Sequence, residues 1–311
     1  MTAQIIDGKD LQQPILDRIA AALLETGLTP VLDLITIEHP VPEIRMQTDP
    51  AFDLHVSFLG GQGIEVRPHR LPETTTNEEL LALVERLNED EGCDGIFLLV
   101  PPPDQIDLAL VINTIDPAKE LEGLHPRHAA RLLPVSLTPP VRPMVVPETL
   151  RTLFAAVGQD FTDAHVVVLV EHGALRQNLI THMVAKFGSG LIWPADTTLT
   201  MVAHDAPRVA EISREADVLI TVLPGLPRLV RGSWVKPGAT VVDFAPTVVG
   251  TELNAAGDRK VPVFAGGVDN DEVSQVAKIL VPAPRGIGPV LLSLLAENVT
   301  LAAIARRGPK A

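Results

Sequence analysis

Residues 166–187, with the sequence VVVLVEHGALRQNLITHMVAKF, decide the fold class of this chain. The first five are an uninterrupted apolar run, which is typical of a strand covered on both faces. A short polar turn follows, and residues 174–187 are then predicted to form a helix. A strand, a turn and a helix in immediate succession form the repeating unit of a parallel α/β sheet. The stretch therefore predicts an α/β domain.

The same alternation extends over the rest of the chain. Residues 77–88 have apolar side chains at helical spacing, and residues 95–100 (GIFLLV) form a second run typical of a buried strand. Another helix is predicted to begin at Asp49, an N-cap residue followed by Pro50 at the first helical position. Strands are also predicted at residues 31–37, 64–69, 198–203, 218–222 and 240–244, and helices at residues 10–25, 106–115, 147–157, 206–215 and 289–305.

The length of 311 residues corresponds to about two domains. The Pro-rich stretch 133–143 (LPVSLTPPVRP) is the best candidate for a linker between them. We therefore expect one α/β domain over residues 1–138 and a second over residues 139–288. The second is predicted to be a Rossmann-type doubly wound parallel sheet, and the closing helix 289–305 is expected to pack back on the first domain.

Composition and charge exclude several classes of function. With 39 acidic and 25 basic residues, the net charge of −14 argues against nucleic acid as a partner. The single cysteine, Cys93, excludes a disulfide framework within the chain, and the nine histidines show no metal-ligand spacing. Neither a signal peptide nor an apolar run approaching ~18 residues is present. These features predict a cytoplasmic protein with no membrane partner and no metal.

The turn after residues 166–170 is where a dinucleotide would bind in a doubly wound domain, because glycines there let the backbone approach a pyrophosphate. The turn reads Glu171-His172-Gly173-Ala174-Leu175-Arg176. One glycine is not a dinucleotide fingerprint, and Glu171 would repel a phosphate. From spacing alone, the turn is either a dinucleotide site or an ordinary connection between a strand and a helix.

Five short motifs occur in an order that points to one family. They are Ile5-Ile6-Asp7-Gly8-Lys9, Leu71-Pro72-Glu73-Thr74-Thr75, Asp94-Gly95-Ile96 with Pro101-Pro102-Pro103, Gly123-Leu124-His125-Pro126, and Pro282-Ala283-Pro284-Arg285-Gly286-Ile287-Gly288-Pro289. In these motifs the chain resembles the bifunctional methylenetetrahydrofolate dehydrogenase/methenyltetrahydrofolate cyclohydrolase family. The resemblance extends from residue 5 to about residue 303.

The resemblance implies two α/β domains flanking a cleft, with a tetrahydrofolate derivative in the cleft and NADP or NAD on the second domain. Residues 1–138 would then be the folate-binding, catalytic-type domain. It also implies a homodimer. Members of the family oxidise methylenetetrahydrofolate to the methenyl cation by hydride transfer and then hydrolyse that cation to the formyl compound.

Most of the positions that carry this chemistry in the family are changed in this sequence. The family's Tyr-x-x-x-Lys pair corresponds to Ala51 and His55, and the Gln before the Pro-rich turn corresponds to Leu99. An imidazole can do acid–base work near neutral pH. His55 is therefore either a catalytic base or a filler of a half-buried helix position. The family resemblance places Ala51 and Leu99 at the folate, together with Pro101 and Pro103.

Glu122 stands where the family has an aspartate that binds the pterin ring. A carboxylate there can accept two parallel hydrogen bonds from the pterin's amino and ring N–H groups. The alternative is a solvated loop charge beside Glu120. We take His55 and Glu122 as the catalytic candidates.

The closing loop contributes further candidates for substrate binding, namely Arg285, Gly286, Gly288 and Pro289. Arg285 replaces a family glycine, and it would be strained if that glycine needs a positive φ. It either meets an acidic group, such as the glutamate tail of a folate, or faces solvent.

The candidate cofactor site departs further from the family. The family's Gly-x-Ser-x-x-x-Gly-x-Pro turn becomes residues 170–178, with Val170, Arg176 and Asn178 at the Gly, Gly and Pro positions. A valine adds bulk where the backbone should nearly touch a phosphate. The residues expected to face NADP are His172, Gly173, Ala174 and Arg176, and NADP itself is a doubtful ligand.

Three functions remain open from the sequence. The first is a divergent folate-dependent one-carbon enzyme whose dehydrogenase half is impaired or lost. The second is a catalytically silent paralogue that acts as a ligand sensor or protein partner. The third is an enzyme with a new substrate in the same cleft.

Overall fold

The computed structural model describes residues 2–129, 144–171, 193, 196–254, 256–258 and 260–308. The chain divides into two compact units. The first unit comprises Gln13–Val145 and Leu292–Ala311, and the second comprises Met1–Gln12 and Val146–Leu291. The predicted linker 133–143 and the predicted helix 174–187 lie outside the described residues.

The first unit contains a three-stranded parallel sheet in the order β3-β2-β4. Its strands are β2 (Val31–Ile37), β3 (Glu65–Leu71) and β4 (Gly95–Leu98), numbered after the short β1 of the second unit. All seven residues of the central β2 are buried, as expected for an apolar run flanked on both sides. The prediction of a strand at residues 31–37 is therefore confirmed. β4 ends two residues earlier than predicted, so Leu99 and Val100 belong to the connection that follows it.

Helices surround this sheet. They are α1 (Gly8–Thr26), α2 (Pro42–Gly61), α3 (Asn77–Glu89), α4 (Leu108–Thr114), α5 (Pro126–Ala129) and the carboxyl-terminal part of α9 (Gly288–Arg307). α3 begins with a capping box in which the Thr76 hydroxyl accepts from Glu79 N–H and the Glu79 carboxylate accepts from Thr76 N–H. Its buried face packs on Ile35, Ile96 and Leu98 in one apolar cluster.

The predicted start of α2 at Asp49 is wrong. The helix begins at Pro42, and Asp49 and Pro50 lie inside it. Asp49-Pro50 has the local pattern of a helix start, but the proline at the first helical position is Pro42, and the N-cap before it, Val41, makes no side-chain cap. The guanidinium of Arg45 donates from Nε (3.1 Å) and Nη2 (2.9 Å) to the His39 carbonyl, which ties the early turns to the preceding loop.

The second unit contains a six-stranded parallel sheet in the order β1-β11-β8-β7-β5-β6. Its strands are β1 (Gln4–Ile5), β5 (His165–Val170), β6 (Thr198–Ala203), β7 (Val218–Val222), β8 (Thr240–Asp243) and β11 (Ile279–Val281). The chain runs from β5 to β6 on one side and then to β7 on the other. This reversal is the switch point of a doubly wound sheet, so the predicted Rossmann-type fold is confirmed.

The remaining elements of the second unit are short. They are α6 (Val145–Ala156), α7 (Val209–Arg214), a 3-10 turn (Gly232–Trp234), an antiparallel hairpin of β9 (Thr247–Leu253) and β10 (Lys260–Ala265), and α8 (Asn270–Val273). The hairpin was not predicted, because its strands are largely exposed and lack the apolar run by which the other strands were found.

α9 connects the two units in sequence, since Gly288–Leu291 lies in the second and the rest in the first. Among the helices of the described ranges, it alone has the length and apolarity to cross a membrane, with a mean hydropathy of 1.6 over an 18-residue window. Because 61% of that window is buried inside the protein, the length and apolarity of α9 are also those of a core helix. By itself, this is weak support for a membrane span.

Candidate active site

His55 lies on α2, with its side chain facing the protein interior. The side chain is 9% exposed, and its ring stacks on Phe97 with 5.5 Å between ring centroids and an interplanar angle of 21°. Nδ1 lies 2.6 Å from the Ala51 carbonyl oxygen, one helical turn earlier. A carbonyl only accepts, so Nδ1 carries the proton and Nε2 carries the lone pair.

Burial disfavours the charged form of this imidazole and lowers the pKa of His55 below its ordinary value of 6.5, although the bond to Ala51 opposes the shift. His55 is therefore a neutral imidazole at pH 7, with Nε2 ready to accept a proton. Ala51, predicted as a substrate contact, contributes its carbonyl to fix the tautomer of His55.

Glu122 lies beside a narrow cavity at the carboxyl end of β4. The cavity is lined by apolar side chains, among them Phe97, Leu98, Val100 and Ile112, and by the two glutamates Glu120 and Glu122. Burial and the neighbouring Glu120 carboxylate raise the pKa of Glu122 to about 8. The Glu122 side chain is thus mostly a neutral carboxylic acid at pH 7.

The loop that carries Glu122 is held by the Glu120 carboxylate. Glu120 Oε1 accepts from the backbone N–H of Glu122 (2.7 Å), and Oε2 accepts from those of Gly123 (3.0 Å) and His125 (3.2 Å). The Glu122 carbonyl in turn accepts from Val145 N–H at 3.1 Å. Hydrogen bonds at both the N–H and the carbonyl of Glu122 therefore fix the backbone of this residue.

Phe97 is the residue common to both places, since its ring stacks on His55 and the residue is also among those that line the cavity beside Glu122. Sequence reasoning missed Phe97, since it lies within an apolar strand run that indicates only burial. It also missed Glu120, which was taken as a neighbouring loop charge; its spacing of two residues from Glu122 was the available signal. Chemically, the first unit offers a neutral base at His55 and a mostly neutral acid at Glu122.

The other predicted residues of the first unit have simpler places. Leu99 is buried, and its N–H donates to the Ile35 carbonyl at 2.9 Å, which continues the sheet by one bond beyond β4. Pro101 is exposed and Pro103 is buried in the connection to α4. No contact to a ligand can be derived for these three residues, so their roles in binding stay predictions.

The closing loop lies in the second unit, and it places Arg285 against Asp7. The guanidinium donates to Asp7 Oδ2 from Nη2 (2.7 Å) and Nε (3.2 Å), while the side chain of Arg285 remains 72% exposed. Arg285 does not adopt a positive φ, so the expectation of strain at this position is wrong. Two alternatives were open for Arg285, an acidic partner or solvent. Here it meets an acidic group, and that group is a side chain of the same unit.

Gly286 of this loop and Gly8 of α1 are needed for close packing. A Cβ on Gly286 would lie 2.3 Å from Val281 Cγ1, and a Cβ on Gly8 would lie 2.4 Å from the Gly286 carbonyl oxygen. Gly288 and Pro289 are the first two residues of α9, where a proline is favoured. Substrate binding by Gly286, Gly288 and Pro289 stays a prediction.

The four residues predicted to face NADP, namely His172, Gly173, Ala174 and Arg176, lie outside the described residues. The strand that leads to them ends at Val170, whose side chain is fully buried, and the next residue, Glu171, donates its N–H to the Val222 carbonyl at 3.0 Å. The sheet topology fits a dinucleotide at the carboxyl ends of β5 and β7. Val170 stands where the resemblance puts a glycine.

Nearby, Asp243 ends β8 as a buried carboxylate. It accepts from Thr221 Oγ1 (2.8 Å), Gly267 N–H (3.2 Å) and Val268 N–H (3.1 Å), and burial raises its pKa to about 6. These bonds hold the 266–268 loop against the sheet. For metals, the ranges described above contain no group of three or more His, Cys, Asp or Glu side chains that could hold an ion.

Comparison with known families and proteins matches both halves of the chain. The model of the tetrahydrofolate dehydrogenase/cyclohydrolase catalytic domain matches residues 6–122, and that of the NAD(P)-binding domain of the same family matches residues 145–307. The bifunctional protein FolD of Acidiphilium cryptum (strain JF-5) is 34% identical over 309 residues, covering 99% of this chain and 100% of that protein.

Two further similarities extend this finding. The bifunctional protein FolD of Caulobacter sp. (strain K31) is 33% identical, over 97% of this chain and 96% of that protein. The crystal structure of Trypanosoma brucei N5,N10-methylenetetrahydrofolate dehydrogenase-cyclohydrolase, complexed with NADP cofactor and inhibitor, superimposes with a TM-score of 0.82 at 27% identity. That match covers 99% of this chain and 100% of the other.

Proposed function

The chain belongs to the tetrahydrofolate dehydrogenase/cyclohydrolase family, and we propose that it is a folate-dependent one-carbon enzyme that hydrolyses methenyltetrahydrofolate with His55 as general base. The observation that carries this proposal is the buried His55, whose Nδ1 donates to the Ala51 carbonyl and leaves Nε2 as an acceptor. A base has to be unprotonated before it can take a proton, and burial keeps this imidazole neutral at pH 7.

The step we assign to His55 is activation of water. The water oxygen adds to the electrophilic methenyl carbon, and its proton passes to His55 Nε2. A carbon–nitrogen bond then breaks as the proton returns from His55 to the departing nitrogen. The hydroxyl proton that remains on the adduct is released to solvent as the carbonyl forms, and the formyl compound is the product. General base catalysis of this kind is worth roughly 10²–10⁴-fold in rate.

Glu122 is assigned to the pterin ring. In the free protein its carboxyl group is mostly protonated at pH 7. The amino and ring N–H groups of a pterin are two donors that a carboxylate accepts in parallel. Binding of a folate therefore favours ionisation of Glu122, and the proton leaves as the ligand enters.

We further propose that the dehydrogenase half is impaired or lost. Hydride transfer requires a nicotinamide placed against the folate carbon. Val170 and Arg176 replace the two glycines of the family's phosphate turn, and Asn178 replaces its proline. The relative from Trypanosoma brucei is described with NADP; for the present chain we propose weak NADP binding, and no step of the mechanism above uses it.

A silent ligand sensor is the second candidate function, and Leu99 favours it. The resemblance puts a glutamine at this position, whereas Leu99 is buried and its side chain has no hydrogen-bonding group. Without that amide, folate binding without turnover is the expected behaviour if His55 does not serve as a base.

Hydrolysis of methenyltetrahydrofolate by the purified protein tests the proposal. The wild type should exceed the buffer rate, and His55→Ala should return to it with unchanged binding of 5-formyltetrahydrofolate. Glu85→Gln, an exposed change on α3, is the matched control and should keep the full rate. A wild type that binds the folate but never exceeds the buffer rate would replace the enzyme by the sensor; absence of folate binding would favour a new substrate.

Two further expectations from the sequence are proposals here. We propose that the protein is a homodimer, which light scattering of the purified chain tests. We also propose that it works in the cytoplasm, which fractionation of cells that express it tests.

A further inference from the structure

Glu120 is a buried carboxylate of the first unit's site that accepts several backbone hydrogen bonds. It is linked to the catalytic candidate Glu122 through the loop that carries both residues. Its side chain is 4% exposed, and its two oxygens accept three backbone N–H groups, those of Glu122, Gly123 and His125. A buried charge needs such compensation, because an unpaired carboxylate in a protein interior is costly. His128 lies close by, with Nε2 at 2.8 Å from the Pro117 carbonyl oxygen and at 3.9 Å from Glu120 Oε2.

The backbone around Glu122 is anchored on its other sides as well. The Leu121 carbonyl accepts from Asn298 Nδ2 at 2.7 Å, and the Glu122 carbonyl accepts from Val145 N–H at 3.1 Å. Gly123 has a φ of +83°, and a Cβ on it would lie 2.6 Å from Met144 Cγ. These bonds and the tight packing at Gly123 hold the backbone that carries the Glu122 side chain.

We propose that Glu120 is a positioning residue for substrate binding, whose buried carboxylate folds residues 120–125 around itself and thereby sets where the Glu122 carboxyl group meets the pterin. The inference rests on the proposed function for its substrate. It goes beyond that function because Glu120 acts through the loop, by accepting the backbone N–H groups of Glu122, Gly123 and His125.

The charge of Glu120 also acts on Glu122 through space. The side chains that line the cavity from β4, the following connection and α4 are apolar: Ile96, Phe97, Leu98, Val100, Leu108, Ile112 and Ile115. Leu124 lines it from the loop itself. The charged or titratable side chains described around this loop are Glu120 itself, His128 with Nε2 at 3.9 Å from Glu120 Oε2, and His125, whose ring meets that of His128 edge-on at 6.2 Å. Glu120 is thus the charge that favours the protonated form of Glu122.

The test compares Glu120→Gln and Glu120→Asp with the control Glu85→Gln, by carbon NMR of glutamate-labelled protein without folate. An amide has a single acceptor oxygen, so Glu120→Gln leaves at least one of the three N–H groups without an acceptor. It also removes the charge, so the pKa of Glu122 should fall by about one unit or more. Glu120→Asp keeps the charge, so the pKa of Glu122 should stay raised.

Binding of 5-formyltetrahydrofolate at pH 9, where Glu122 is ionised in the wild type and in the variants alike, gives the second readout. Glu120→Gln should weaken it about tenfold or more, as expected when a charged hydrogen-bond network is broken, and Glu120→Asp should recover part of that loss. A purely structural role would lower the melting temperature and leave the Glu122 titration unchanged, and this result would overturn the proposal. If Glu120→Gln does not fold, Glu120→Asp alone decides. The positioning proposal would then be overturned if this variant kept the wild-type folate affinity and the wild-type amide shifts of residues 122, 123 and 125.

The two proposals fail in different ways. The NMR titration needs no folate and no turnover, so it reports on Glu120 even if the chain hydrolyses nothing. A wild type without hydrolysis, but with a Glu122 pKa that responds to Glu120→Gln, would refute the proposed function and leave the positioning role standing.

Discussion

Proton release on folate binding is a direct consequence of the Glu122 environment. Free Glu122 has a pKa raised to about 8 by burial and by Glu120. At pH 7 about nine-tenths of the molecules therefore hold a proton there. The two N–H donors of a pterin favour the carboxylate, so the bound form is ionised. Binding should release about 0.9 proton per site at pH 7.

The same protonation weakens binding at neutral pH. Removing a proton one pH unit below the pKa of its group costs about 1.4 kcal/mol, which is about a factor of ten in affinity. The dissociation constant of 5-formyltetrahydrofolate should thus fall about tenfold from pH 7 to pH 9 and level off above the pKa of Glu122. The sign is set by the raised pKa: an acid with an ordinary pKa would already be ionised at pH 7, and affinity would then be flat over this range.

Calorimetry measures the released proton directly. Titrations at pH 7 in buffers of different ionisation enthalpy give heats whose slope is the number of protons released. Glu122→Gln has no titratable group there and should show a slope near zero with weakened binding, whereas Glu85→Gln should behave as the wild type. Tight folate binding with no buffer dependence in the wild type would refute the assignment of Glu122 to the pterin.

Three further predictions concern His55, NADP and the anchoring of α9. Hydrolysis should reach its plateau by pH 7, because the lowered pKa of His55 leaves the base unprotonated there; a rate that still rises tenfold per pH unit at pH 8 would contradict it. Millimolar NADP should raise the melting temperature little, although a ligand at a hundredfold excess over its Kd would stabilise the protein by about 2.7 kcal/mol. Asp94 is 0% exposed and pairs with Arg306 (3.1 Å) and with Arg307 Nε (2.8 Å). Asp94→Ala should therefore lower the free energy of unfolding, measured in urea, by about 3 kcal/mol. The control Arg151→Ala removes an exposed ion pair and should lower it by less than about 0.5 kcal/mol.

The strands were predictable because burial on both faces leaves a local signal. Residues 31–37 and 218–222 are apolar runs that match β2 and β7 residue for residue. Helix starts were harder, since Asp49-Pro50 has the local pattern of an N-terminus but lies within α2. The helix begins at Pro42 instead, and Arg45 in its first turns bonds to the His39 carbonyl. A search of the sequence for capping residues does not reveal such a contact.

For the site, the sequence by itself determined the α/β class, the family and the two candidate side chains, His55 and Glu122. Only the tertiary structure decided their chemical state. Phe97 buries an imidazole 42 positions earlier in the chain, and Glu120 turns from a neighbouring charge into the centre of a folded loop. A pKa depends on the desolvation and the charges that the fold assembles from distant segments, and no window of neighbouring residues contains that information.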